Sequence, residues 1–80
     1  MWAVYILYSE KHDKHYTGRS QDPLDRFLSH NEKATKGFTK RYRPWKIIHI
    51  EEYETVQEAS AREKWLKSGV GRDFIKTLPH

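Results

Sequence analysis

The chain contains no cysteine. A disulfide framework and a thiolate metal site are therefore excluded, and the composition fits a reducing compartment, with the cytoplasm as the expected location. Glycine and proline are scarce, at four and three residues. The sequence holds no Walker loop and no nucleophile elbow. Long apolar runs are missing too. Met1 to Tyr8 is apolar, but it lacks the basic start of a signal peptide and is far shorter than a membrane span. No membrane association is expected. There is no repeat, low-complexity tract or linker, and the 80 residues are expected to form one domain, 1–80.

Aromatic residues are plentiful instead. A domain this small buries only a modest core. Trp2, Trp45 and Trp65, with three Phe and five Tyr, are placed to supply much of it. Fifteen Lys and Arg against eleven Asp and Glu give a formal net charge of +4. That excess permits a polyanionic partner without requiring one. Its distribution says more. Lys36, Lys40, Arg41, Arg43 and Lys46 crowd one segment, interleaved with Phe38, Tyr42 and Trp45. Such a run is either a solvated loop or a surface for phosphate contact with base stacking.

Ala3 to Tyr8 reads as a strand rich in β-branched and aromatic residues, apolar on both faces and so covered on both or central. Glu10 to Lys14 is a polar turn, and His15 to Gly18 a short second strand of the same hairpin. Asp22 as N-cap and Pro23 at the first helical position open a helix, with Leu24, Phe27, Leu28 and Asn31 as its inward stripe. Residues 33–44 read as a basic loop stopped by Pro44. Trp45 to Tyr53 is a third strand. Thr55 and Glu58 form a capping box for a helix that runs to about Lys67. A last helix over 71–78 turns Phe74, Ile75 and Leu78 inward. The order is β-β-α-β-α-α, an α/β (α+β sandwich) class with a small sheet and helices against it.

One position breaks the pattern. The inward positions of the helix after Thr55 step as Val56, Ala59, Glu63 and Leu66. A carboxylate on a buried stripe is costly unless it is paired or bound to a metal. Several readings stay open: a rotated helix with Glu63 at the rim, a buried pair with a distant Arg, or a functional role. Arg26 and His30 lie four apart on the first helix and share a face outside its apolar stripe. They are either ordinary surface residues or a fixed cation and a titratable imidazole over one site. Tyr5 and Tyr16 fall roughly opposite each other on the hairpin, as sheet packing or as part of the same site. Gly18 would allow a close approach of backbone to a ligand, or serve the turn.

Together these residues spell a pattern. Val4-Tyr5-Ile6, His15-Tyr16-Thr17-Gly18, Arg26 with His30-Asn31, and Arg62-Glu63-Lys64 closely resemble the GIY-YIG nuclease superfamily. Phe38-Thr39-Lys40, Pro44-Trp45-Lys46 and Glu58-Ala59 point to its small, single-domain bacterial branch. The resemblance runs from Val4 to Leu78. It implies a three-stranded antiparallel sheet flanked by helices and metal-dependent hydrolysis of DNA, with Mg²⁺ or Mn²⁺ as cofactor. By the same resemblance Tyr16 would act as general base or order the attacking water, and Tyr5 would orient Tyr16 or touch the phosphate. Arg26 would clamp the phosphate, His30 would assist proton transfer or hold the phosphate, and Glu63 would be the metal ligand. That chemistry needs an activated water, a cation at the non-bridging oxygens and help for the leaving oxygen.

The match departs in places. Val4 stands where the name motif has Gly, and Thr17 where it has Ile. The Asn that many members carry near the last helix is absent from Ser68 to Ile75, which leaves Lys67 or Arg72 to contact phosphate. So small a surface favours nicked, branched or single-stranded DNA over a sequence, or a protein partner that supplies specificity. RNA stays open. The leading expectation is an endonuclease acting in repair or recombination. The alternatives are a nucleic-acid-binding module with weak or no turnover and a protein-interaction domain that keeps the fold. Convergence of Tyr5, Tyr16, Arg26, His30 and Glu63 on a metal-sized gap would favour hydrolysis. Glu63 locked against a basic side chain would favour binding.

Overall fold

The computed structural model describes residues 1–33 and 41–79. Strand β1, Trp2–Ser9, carries Val, Ile, Leu and Tyr on both faces and is buried from Ala3 to Ser9. That pattern suits the middle of a sheet covered on both sides, and β1 is central. It pairs antiparallel with β2, Lys14–Ser20, on one side and with β3, Lys46–Tyr53, on the other. The result is a three-stranded antiparallel sheet flanked by helices, in the order expected from the sequence. The register against β3 shifts between Ile6, which faces His49, and Leu7, which faces Ile47. Ile48 is the extra residue of that bulge.

The two faces of β1 seed two cores. Val4 and Ile6 pack with Ala59 and Leu66 of α2, Val56–Leu66, and with Ile75 of α3, Gly69–Lys76. On the other face Tyr5 and Leu7 pack with Trp45, and Tyr16, Phe27 and Ile47 close over them. Helix α2 starts where its cap directs. The Thr55 hydroxyl accepts from the Glu58 amide at 3.2 Å and donates to the Glu58 carboxylate at 3.0 Å. Ser68 both follows α2 and caps α3, accepting from the Gly71 amide at 3.3 Å. A Cβ at Gly71 would run into the Trp65 carbonyl and the Leu66 backbone, so the corner between these helices needs glycine.

Helix α1, Pro23–Leu28, opens as its sequence dictates, with the Asp22 side chain accepting from the Asp25 amide at 3.1 Å. It then widens into a π-helical turn, Ser29–Lys33. Of the expected inward stripe, Phe27 and Asn31 turn inward and Leu24 and Leu28 do not. Leu24 and Leu28 are 64% and 44% exposed, while His30 is 6% exposed and Phe27 half-buried. A π turn inserts a residue into the helical repeat and rotates the residues after it. That rotation brings His30 and Asn31 inward.

Candidate nucleic-acid interface

The register fixes the first cluster. Tyr5 lies across from Gly18, and Tyr16 across from Leu7. The two tyrosines are therefore diagonal neighbours on one face, not opposite partners, with ring centroids 6.3 Å apart. Gly18 is what lets them meet. A Cβ there would sit 2.6 Å from the Tyr5 hydroxyl oxygen and 3.1 Å from the Tyr16 ring. The π turn delivers the third member. His30 Nε2 is hydrogen-bonded to the Tyr5 hydroxyl at 3.1 Å, and its ring lies 4.7 Å from that of Tyr16.

Burial, then the neighbouring Tyr16, push the Tyr5 phenol above its usual range, and the Glu63 charge adds to this. A hydrogen bond from Arg26 and its positive charge pull the other way without prevailing. Burial, then the same Arg26 charge, hold His30 below the usual histidine range. At neutral pH the pair is thus a neutral phenol against a neutral imidazole. Such a pair can pass a proton along its hydrogen bond, and Arg26, exposed on α1, stands ready for an anion beside it.

Glu63 comes from α2, which covers the other face of the sheet, yet its charge is felt at Tyr5. It is buried on α2, as the helical period requires, with its side chain 11% exposed. The Arg19 guanidinium donates to Oε1 at 2.5 Å, and the Lys67 ammonium to Oε2 at 2.7 Å. Burial pushes this carboxyl up, but the hydrogen bonds and charges of Lys67 and Arg19 outweigh it and hold it below the usual carboxylate range. Arg19, Ser60, Glu63, Lys64, Lys67 and Ser68 line a depression of about 330 Å³. Lys67 also lines a neighbouring depression of about 300 Å³ with Tyr16, Leu66 and Arg72. Arg72 continues into a third, of about 460 Å³, with Asp13 and Lys76. Lys67 and Arg72, each shared by two depressions, make these a continuous path along the edge strand β2, mainly basic, with Glu63 and Asp13 as its carboxylates.

Residues 1–74 match the family described as the GIY-YIG catalytic domain. The chain belongs to the GIY-YIG family. Its relatives include a UPF0213 protein of Listeria monocytogenes, 38% identical over 55 residues, which are 69% of this chain and 61% of that protein. A UPF0213 protein of Listeria innocua is 36% identical over the same 69% of this chain and 61% of its own length. One from Staphylococcus epidermidis is 32% identical over 63 residues, or 79% of this chain and 77% of the relative. The chain thus spans about three fifths (61%) of the length of the Listeria proteins it matches.

One expectation for this GIY-YIG chain is overturned. Mg²⁺ or Mn²⁺ bound through Glu63 does not fit the residues present. Among the described residues no group of three or more His, Cys, Asp or Glu could hold a metal ion. Glu63 itself has one cation on each oxygen. A hard cation there would have to displace both, with no cluster of further ligands among the described residues to help.

The basic segment is also dispersed. Lys36 and Lys40 lie outside the described residues. Arg41 stacks over Tyr42, 5.9 Å from the ring centroid. Arg43 turns inward and donates to the Asn31 carbonyl at 3.1 Å. Lys46 sits over the Tyr8 ring and pairs with Glu10 at 3.7 Å. Lys67 and Arg72, by contrast, stand on the groove. Sequence reasoning missed Arg19 as a partner of Glu63. The signal was a strand register: Arg19 faces Val4, so it shares the helix-covered side of the sheet with α2. It also missed a second polar network. Glu51 on β3 accepts from Arg62 at 2.8 and 3.0 Å, from Tyr53 at 2.8 Å, and meets His49 Nε2 at 2.8 Å. Arg62 also stacks on Trp65, 4.4 Å from its centroid. This network joins β3 to α2.

Proposed function

We propose that this chain is a nucleic-acid-binding domain of the GIY-YIG family, gripping the phosphate backbone along the β2 edge with weak or no turnover. One observation carries the reading: Lys67 and Arg72 line one depression along the edge strand β2. Cations there would neutralise the phosphates of a strand laid along the edge. Glu63 supports binding over hydrolysis, because its oxygens are taken by Arg19 and Lys67. The continuous basic path argues against a domain kept only for protein contacts. DNA in nicked, branched or single-stranded form is the proposed ligand, in the cytoplasm, in repair or recombination; a protein partner would add specificity to so small a surface.

A second reading, slow phosphodiester hydrolysis, has its own support in the Tyr5–His30 hydrogen bond beside Tyr16. In it His30 relays a proton through Tyr5, Tyr16 orders water and Arg26 meets the non-bridging oxygens.

End-labelled single-stranded, duplex, nicked, flapped and four-way-junction DNA, with an RNA strand beside them, test both readings. Each is incubated with added divalent ion and with chelator. Salt-sensitive binding with intact strands is the expected result. Cutting that disappears in Tyr16→Phe would replace it with the hydrolytic reading. Absence of both binding and cutting on every strand sinks both.

A further inference from the structure

The Arg19–Glu63–Lys67 triad has a shape that matters for binding. The two oxygens of Glu63 each take one cation, a guanidinium from β2 and an ammonium from the end of α2. Two non-bridging oxygens of a phosphate would accept the same two donors in the same way. The exposures are unequal. Arg19 and Lys67 keep 40% and 56% of their side-chain surface in solvent, while Glu63 keeps 11%. The cations, on long flexible stems, can swing out toward an arriving anion, and the carboxylate cannot follow. The rim of this depression also carries Ser68, the cap of α3. Its helix dipole adds positive potential at the same place.

We propose that Arg19 and Lys67 form a phosphate subsite in which Glu63 is the resident competing anion. The proposal rests on the nucleic-acid reading above. It gives the buried carboxylate a role opposite to that of a metal ligand: Glu63 holds the two cations in place and weakens phosphate binding by competing for them. Discrimination is the consequence. A lone phosphate must win both cations from Glu63, whereas a strand that also engages Arg72 gains contacts that offset the loss.

The test measures the affinity of a fluorescent nicked duplex for the full chain, for Glu63→Gln, and for Arg19→Gln and Lys67→Gln, across a salt series. Glutamine keeps the size of Glu63 and removes its charge. Glu63→Gln is expected to bind roughly three- to tenfold tighter, the equivalent of two partly exposed ion pairs no longer in competition. Arg19→Gln and Lys67→Gln are each expected to bind more weakly, with the slope of log K against log salt reduced by about 0.9. Folded Glu63→Gln that binds equally or more weakly overturns the proposal. If that variant does not fold, the two cation variants decide: reduced slopes support the subsite and unchanged slopes overturn it. If no protein binds DNA, the nucleic-acid reading fails separately, and inorganic phosphate becomes the probe. Amide NMR shifts of Arg19 and Lys67 on phosphate titration, larger in Glu63→Gln, would keep the subsite; their absence in both proteins would remove it.

Discussion

At the scale of single residues, Gly18 controls the aromatic cluster. Tyr5 is 1% exposed and cannot retreat from a new methyl group. Gly18→Ala should therefore displace Tyr5 and break its hydrogen bond to His30, at a cost of about 1–3 kcal/mol for overpacking. Urea unfolding checks the energy, and the His30 ring signals in NMR check the bond. His30 itself makes stability depend on pH. Its folded pKa is depressed below the unfolded value near 6.5. Between the two values the unfolded chain binds more protons, so stability rises with pH across that window and is lost as pH falls through it. The melting temperature is expected to drop on acidification from pH 7 to 5, and to drop less in His30→Gln. A wild-type profile no steeper than that of the variant would contradict this. Glu63 was visible in the sequence as an exception to a helical period. Its partner was not, because Arg19 is 44 residues away and only the strand register aims it at α2.

At the scale of elements, local chemistry explains what was legible. β1 announced a central strand through apolar residues on both faces, and Asp22, Thr55 and Ser68 marked helix boundaries with their own side chains. The π turn had no such signal, so the inward face of α1 was misplaced onto Leu24 and Leu28. Nor did the hairpin reveal that Tyr5 and Tyr16 are diagonal, since that depends on a turn that includes Asp13 at φ 51°. The π turn is tied to the residue before β3 through its own Asn31, whose side chain donates to the Trp45 carbonyl at 2.9 Å and accepts from the Trp45 amide at 2.5 Å. Between β3 and α2 the equivalent tie is Glu51. Burial raises its pKa, but Arg62, His49 and Tyr53 together bring it down to about 2. Its depressed pKa contributes stability that is present above pH 4.5 and lost as pH falls through about 2. Glu51→Gln should cost about 1–3 kcal/mol at pH 7, and its deficit should shrink in acid. Denaturant titrations at pH 7 and pH 3 read both effects; a deficit that stays constant with pH would place the loss in packing instead.

At the scale of the whole molecule, the net charge of +4 says less than the placement of the cations. The acidic residues are not spread evenly against the basic ones. Glu51 is consumed by Arg62 and Glu63 by Arg19 and Lys67, while Glu10 answers Lys46 at the far end of the hairpin. The groove keeps Arg72 and Lys76 at one end and Arg19, Lys64 and Lys67 at the other. Sequence reading placed the basic surface mainly at 36–46, where the cations are adjacent in the chain. Among the described residues folding builds a further surface from β2, α2 and α3, and proximity in space, not in sequence, sets the potential that a polyanion meets there. A phosphate backbone laid along that edge should engage Arg19, Lys67 and Arg72, which predicts a log K against log salt slope of about −2 to −3 for a duplex ligand. Arg72→Ala should reduce the slope by about 0.9 and weaken binding similarly for every sequence, because phosphate contacts carry no base readout. Arg43→Ala should leave the slope unchanged, since its guanidinium turns toward the Asn31 carbonyl and lines none of the three depressions. Fluorescence anisotropy across a salt series of roughly 50–300 mM separates the two. A slope that falls with Arg43 and not with Arg72 would move the interface from the β2 edge to the basic segment.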